Sequence, residues 1–288
     1  MLKYVMLLSY VGTSYCGWQK QKKSIAPSES LTREAKSIQA TLEQALLRMT
    51  GETVSVVGSG RTDSGVHAVG QVAHFILKEK DWDPQILQRG FNGLLPRSIQ
   101  VIALQKVAID FHSQRSAQKK QYSFYFQQGP CSIPHLEPFT WWIRKKLDRE
   151  GMNRGLSALI GEHNFKPFQA SGAKPGPTVR KILEAEVSFE PFHFPVQAFS
   201  SAFEKKADLG LVRVRIIGTG FLKQMVRGIA GTLLQVGEGR RPPECFQEIL
   251  QSQNRSLVGP TAPGRALWLE RVWYPQEFTL SWDSDRLT

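Results

Sequence analysis

The apolar run at residues 3–11, rich in Tyr, Val and Leu, predicts a first strand. The spacing of hydrophobic positions then lengthens. Ile38, Leu42, Leu46 and Met49 fall on one face of a helix predicted over 35–49, and Gly51 is placed to end it. Short strand-like runs follow at 53–57 and 71–77, then a helix that starts after Pro84 and runs to about residue 94, and a strand at 99–107. The order is βαββαβ, the ferredoxin-like unit. It recurs as a strand at 121–126, a helix over 148–160, strands at 179–189 and 209–217, a helix over 221–235, another after Pro242, and a strand at 266–274. The expected fold is α+β, with two pseudo-symmetric ferredoxin-like (RRM-like) halves, 1–110 and 111–288, that share a merged antiparallel sheet and leave a central cleft. The join falls near 109–118, and the polar segment 20–33 reads as an exposed loop or basic arm.

The chain has 288 residues, 41% of them hydrophobic, which suffices for a substantial core. Its formal net charge is +12. The cations come in small dispersed clusters: Lys20 with Lys22 and Lys23; Lys119-Lys120; Arg144 to Lys146; Lys205-Lys206; Arg240-Arg241. Each alone reads as a solvated face, but clusters that converge after folding are the electrostatic footprint expected for a phosphate backbone, with anionic lipid or another acidic partner as the other options. No uncharged stretch reaches the roughly 18 residues that would span a bilayer, and the first twelve residues carry no small-residue cleavage site. Cys16, Cys131 and Cys245 are odd in number and far apart, which argues against a disulfide framework or a zinc site and for a reducing cytoplasm.

The most informative segment is Gly58-Ser59-Gly60-Arg61-Thr62-Asp63-Ser64-Gly65-Val66-His67-Ala68. Its glycines let the backbone take φ > 0 or admit a ligand closely. A single carboxylate among cationic and hydroxyl neighbours in so long a loop is suited to present that carboxylate for binding or reaction. The other reading is a tight hairpin in which Asp63 caps its own turn. Ahead of it, Tyr10 to Gln19 holds two glycines and three aromatics, which either stack on bases or fill the core. In the second half, Tyr122 shares a strand face with Phe124 and Phe126 and is either a satisfied core residue or a phenol lining the cleft. Arg227 follows Lys223 at i, i+4 spacing and precedes Gly231 by the same interval on the predicted helix, away from its apolar stripe. It is either an ordinary exposed arginine or a guanidinium held opposite Asp63.

Phosphate-loop, dinucleotide and metalloprotease fingerprints are missing, as are Cys/His metal spacings, so no cofactor is implied. The six histidines show no triad spacing. One carboxylate, one phenol and one arginine acting on an anionic polymer fit what remains.

On these residues the chain resembles the tRNA pseudouridine synthase A family. The Asp63 loop matches the GxGRTDxGVHA signature and Gly12 to Gln21 the GTxYxGWQxQ segment. Tyr122 falls on the KxYxY tract, and Thr178-Val179-Arg180, the 218–237 segment and Thr261-Ala262-Pro263 match further blocks. The resemblance implies two ferredoxin-like halves and a homodimer that acts on the tRNA anticodon stem-loop at positions 38, 39 and 40. It assigns Asp63 as nucleophile, Arg227 as its ion-pair partner and Tyr122 to stacking and C5 proton removal. Candidate substrate contacts are Tyr122, Arg61, Thr62, His67, Lys20 and Lys223. Arg61 would fill or hold the gap left when the target leaves the helix. Val11, Gln114 and Asn164 depart from the family's Asp, Arg and Asp. The rival classes are a non-catalytic RNA-binding or chaperone protein on the same scaffold, and a hydrolase pairing Asp63 with Asp110 or Glu162.

Overall fold

The computed structural model describes residues 1–20, 36–173, 175–191 and 210–282. The basic arm expected over 20–33 therefore lies, from residue 21 onward, outside the described residues, as does the Lys205-Lys206 pair. The chain is a mixed α+β protein with mostly antiparallel strands and, among the described residues, five α-helices. It divides into two units, Met1–Gln118 together with Leu269–Thr288, and Lys119–Trp268. The chain returns from the second unit to the first within its last strand.

In the first unit, β1 (Leu2–Tyr10) lies between β3 (His67–Leu77) and β4 (Ile99–Val107) and is antiparallel to both, with Leu2 opposite Leu77 and Lys3 opposite Val107. Its central position explains why Tyr4, Val5 and Met6 are consecutive buried residues, since a middle strand buries both faces. Helices α1 (Ile38–Thr50) and α2 (Pro84–Leu94) bring Ile38, Leu42, Leu46, Leu87 and Phe91 to the core. Both begin where capping chemistry allows: Ala40 N donates to Ser37 Oγ at 3.1 Å, and Asp83 accepts from Gln85 N at 2.7 Å with Pro84 at the first helical position. Gly51, at φ 77°, closes α1 in the left-handed conformation that glycine adopts without strain.

The strand expected at 53–57 shrinks to β2 (Val57–Gly58), which pairs with β3 through Val57–His74 and Gly58–Ala73. The backbone of Val56 is used elsewhere: its N–H donates to Glu43 Oε1 at 3.2 Å and its carbonyl accepts from Gln39 Nε2 at 3.1 Å. Side chains of α1 thus take the hydrogen bonds a ladder would have used.

The second unit is built on β5 (Lys119–Gln128), β9 (Gly210–Gly218), β8 (Val179–Pro191) and β7 (Gly161–Asn164), adjacent in that order and antiparallel. The short β6 (Trp141–Ile143) runs parallel to β5. Helix α3 is Arg149–Ser157, shorter than the expected 148–160; α4 is Met225–Gly237 and α5 is Cys245–Ser252. The helix expected from residue 221 starts four residues later because Gln224 sits at φ 61°, left-handed, immediately before it. Lys223 consequently lies ahead of α4 and does not share its Arg227 face. Strand β10 (Leu267–Trp273) completes the chain order, and Gly70 of β3 lies so close to it that a Cβ there would stand 2.0 Å from the Glu270 carbonyl oxygen.

Candidate active site

The Asp63 loop occupies the 59–66 connection between β2 and β3, and a buried polar network holds it. Ser59 Oγ donates to Gln71 Oε1 at 2.6 Å, and Gln71 Nε2 donates to the Gly60 carbonyl at 3.0 Å and towards Tyr10 Oη at 3.4 Å. Tyr10 Oη and Thr62 Oγ1 meet at 2.9 Å. Ser59, Gln71, Tyr10 and Thr62 are all buried, so each bond satisfies a group that would otherwise lose hydration. Burial pushes the Tyr10 phenol up to about 12, against the opposing effect of its bonds to Thr62 and Gln71.

Backbone contacts complete the clamp. Trp18 N–H donates to the Thr62 carbonyl at 3.0 Å, Ser64 Oγ donates to the Tyr15 carbonyl at 3.1 Å, and Gly12 N–H donates to His67 Nδ1 at 3.1 Å. Gly17, at φ 105°, comes so near the loop that a Cβ would stand 2.6 Å from the Thr62 carbonyl oxygen. Val66 N–H donates to the Asp63 carbonyl, closing a turn with Gly65 at φ 79°.

Thr62 and His67 are therefore interior props of the loop, Arg61 and Ser64 are exposed, and Asp63 is half-buried between them. Tyr10, Tyr15 and Trp18, open to both base-stacking and core readings from the sequence, are core residues. Lys20 is exposed, with its backbone N–H on Gln39 Oε1 at 3.1 Å.

In the second unit, Tyr122 is buried on β5 opposite Ile216, and its ring meets Phe221 edge-on with centroids 5.0 Å apart. Arg227 stands in the first turn of α4. Its Nε donates to the Ala262 carbonyl at 2.7 Å, and Ala262 N–H returns a bond to the Arg227 carbonyl at 3.1 Å. Segment 258–262 can lie this close because α4 carries Gly231, where a Cβ would stand 1.6 Å from the Pro260 carbonyl oxygen. Gly259 N–H also donates to Thr232 Oγ1 at 2.9 Å. The Thr261-Ala262-Pro263 block thus serves to orient Arg227. Lys223 is exposed, its carbonyl accepting from Ala170 N at 2.9 Å. A recess of about 590 Å³ in this unit is lined by Arg154, His163 and Gln247 and touches none of these residues.

Sequence reasoning missed Gln71, Ser59 and the carbonyl of Ala262 as supports. The available signal was Gln71, which with His74 interrupts the otherwise apolar interior of β3.

The family model described as tRNA pseudouridine synthase matches residues 6–114 and 156–275. The chain is similar to the tRNA pseudouridine synthase A of Maridesulfovibrio salexigens, with 34% identity over 95% of this chain and 91% of that one. It is also similar to those of Bdellovibrio bacteriovorus, at 35% identity over 94% of each chain, and Acetivibrio thermocellus, at 35% over 93% of this chain and 98% of that one. The chain belongs to the tRNA pseudouridine synthase A family, an isomerase family.

Proposed function

We propose that the protein isomerises uridine to pseudouridine in tRNA, at positions 38, 39 and 40 of the anticodon stem-loop. The observation that carries this reading is the Asp63 loop: its flanking Thr62 is locked to Tyr10 and the backbone of Trp18, while Asp63 itself is only half-buried. A carboxylate presented on a rigid support is what covalent or proton-transfer chemistry at a ribose requires.

In this mechanism Asp63 acts on the sugar, either attacking C1′ or drawing off a sugar proton to give a glycal. The N1–C1′ bond breaks and its electron pair leaves with uracil. The base turns and C5 bonds to C1′, which releases the Asp63 carboxylate from C1′ in the first route and is accompanied by return of the sugar proton from Asp63 in the second; the C5 proton departs, and N1 takes up a proton. Atoms and electrons balance without a redox carrier. Arg227 is the ion-pair partner that keeps Asp63 charged, Tyr122 packs on the flipped uracil and assists removal of the C5 proton, and Arg61 occupies the space the target vacates. Thr62 and His67 contribute by fixing the loop, and Lys20 and Lys223 by meeting the RNA backbone.

The scaffold reading that goes with this is two ferredoxin-like halves with a cleft, in a cytoplasmic homodimer. The chain order β1-α1-β2-β3-α2-β4 supports it, as does β5-α3-β8-β9-α4-β10 once β6, β7 and α5 are set aside as additions. The charge of +12 supports an RNA partner, bound mainly by phosphate contacts and shape. No described helix is long and apolar enough to cross a membrane.

The test is incubation of the purified protein with unmodified tRNA transcript, followed by carbodiimide-dependent primer-extension mapping. Stops at 38, 39 or 40 are expected. Tight binding without stops would replace the synthase reading with that of a non-catalytic RNA-binding protein, and release of free uracil would replace it with that of a hydrolase.

A further inference from the structure

A short segment of the second unit ties together the far ends of the two elements that carry Tyr122 and Arg227. Leu147 N–H donates at 2.8 Å to Oε1 of Gln128, the last residue of β5, and Asp148 N–H donates at 2.8 Å to the carbonyl of Gly237, the last residue of α4. Gln128 stands six residues beyond Tyr122, about 20 Å along a strand. Gly237 stands ten residues beyond Arg227, about 15 Å along a helix. Just ahead of these two bonds come Arg144, Lys145 and Lys146, all exposed between the buried Ile143 and Leu147. The carbonyl of Ile143 accepts from Gly129 N–H at 3.1 Å, so the basic turn is pinned on both sides.

The bond to Gly237 also brings this turn towards a second basic cluster of the sequence, since Arg240 lies three residues past Gly237. Arg149 adds a further cation, its guanidinium held 4.9 Å over the Phe189 ring. The carboxylates of the region are committed: Asp148 Oδ1 accepts from Gly151 N–H at 2.9 Å, Glu238 pairs with Arg240, and Glu150 lies in the first turn of α3, where the helix dipole favours it. The side chains of Arg144 and Lys145 make no ion pair or hydrogen bond among the described residues. Two residues before Arg144, Trp142 is 37% exposed, and its Nε1 donates to the Gly129 carbonyl at 3.0 Å, which fixes the ring at the surface.

We propose that Arg144 and Lys145 bind backbone phosphates of the tRNA at a stretch remote from the target uridine, with Trp142 as a stacking face for an unpaired base. The inference rests on the reading of the chain as a tRNA-modifying enzyme and adds a surface that grips the body of the substrate. A nucleotide seated at Tyr122 and Arg227 does not span 15–20 Å, so the turn meets a different part of the same RNA. Cations on a pinned backbone, with no local ion pair to break, give up less on meeting a phosphate than cations on a loose loop. An aromatic face accepts any base, which suits a contact that grips without reading sequence. An exposed tryptophan beside cations would also suit an anionic lipid surface; RNA is favoured because the turn is fixed at a set distance from the residues proposed to hold the target.

The experiment is fluorescence anisotropy with labelled, unmodified tRNA transcript and the full chain at several salt concentrations, paired with hydroxyl-radical footprinting of the same complex. The double variant Arg144→Gln, Lys145→Gln replaces exposed side chains and should keep its thermal midpoint. Its log–log salt slope should be shallower by about 1.5–2, the loss of two phosphate contacts. It should lose backbone protection away from positions 38, 39 and 40 and keep protection at them. Trp142→Leu should weaken binding about fivefold or more at an unchanged slope, because stacking releases no counterions. A full slope in the double variant, or loss of protection confined to the target positions, overturns the proposal. If the double variant binds tRNA normally but no longer binds phosphatidylserine-containing vesicles that the unsubstituted protein binds, the surface is a membrane contact instead. Failure of the unsubstituted protein to form pseudouridine in a parallel assay would count against the enzymatic reading and not against this contact, so the two are separable.

Discussion

Tyr10 Oη and Thr62 Oγ1 meet at 2.9 Å in a fully enclosed site, one residue before the carboxylate proposed to do the chemistry. This contact joins the end of the first strand to the reactive loop. Tyr10→Phe keeps the ring but leaves Thr62 and the Gln71 amide each short of a partner, a loss of about 1–3 kcal/mol. Urea unfolding should show that drop at an unchanged m-value, and turnover should fall although Asp63 is intact. Unaltered stability and turnover would mean that the loop is held by its backbone bonds alone.

Asp63→Asn preserves the size of the side chain and its capacity to accept hydrogen bonds, but removes the charge. The expected result is loss of pseudouridine formation by about a thousandfold or more, with tRNA binding little changed. Single-turnover assays alongside anisotropy titrations read both quantities. Normal turnover in the variant would exclude a nucleophilic or proton-abstracting role.

The Asp63 loop was legible because its glycines, its isolated carboxylate and its match to a family signature coincide in eleven consecutive residues. The start of α2 was legible for a related reason, since Pro84 is a local mark of a first helical turn, whereas α1, expected from residue 35, begins only at Ile38, where Ser37 caps it. What stayed hidden depends on partners distant in sequence. Residues 53–57 have strand-like side chains, yet Val56 gives its backbone bonds to Gln39 and Glu43. Lys223 and Arg227 have helical spacing, yet a left-handed Gln224 between them ends the pattern. Thr62 and His67 sit in a loop that looks solvent-facing, and only the folded chain shows them turned inward. Asn164, a departure from the family's Asp, keeps the acceptor that matters locally, its Oδ1 receiving bonds from Lys166 N at 3.1 Å and Thr178 Oγ1 at 2.7 Å.

His74 gives the first unit a pH dependence of predictable sign. Its Nδ1 accepts from Ser113 N–H at 3.1 Å and lies 2.8 Å from Ser113 Oγ, whose proton goes to the Val57 carbonyl at 2.6 Å. Burial first, then the neighbouring His112, Lys3 and Arg115, lowers the ring to about 4. A group depressed in the folded state contributes stability that is complete above its unfolded value near 6.5 and is lost as pH falls towards 4. The urea midpoint should therefore decline between pH 6.5 and 4, and His74→Asn should flatten that part of the profile. An equally steep decline in the variant would assign the effect to other groups.

Arg227 tests whether orientation or charge alone matters in the second unit. Its Nε is committed to the Ala262 carbonyl at 2.7 Å, which aims the rest of the guanidinium, and Ala262 N–H bonds back to the Arg227 carbonyl. Arg227→Lys retains a positive charge but has no donor at the Nε position and no planar fork, so the charge is no longer aimed. If Arg227 acts on the Asp63 carboxylate during the reaction, kcat should fall about tenfold or more in this variant while KM for tRNA changes little. A rise in KM at constant kcat would instead make Arg227 a contact for the RNA backbone, and Arg227→Ala would then lower the salt slope of binding by about 0.9.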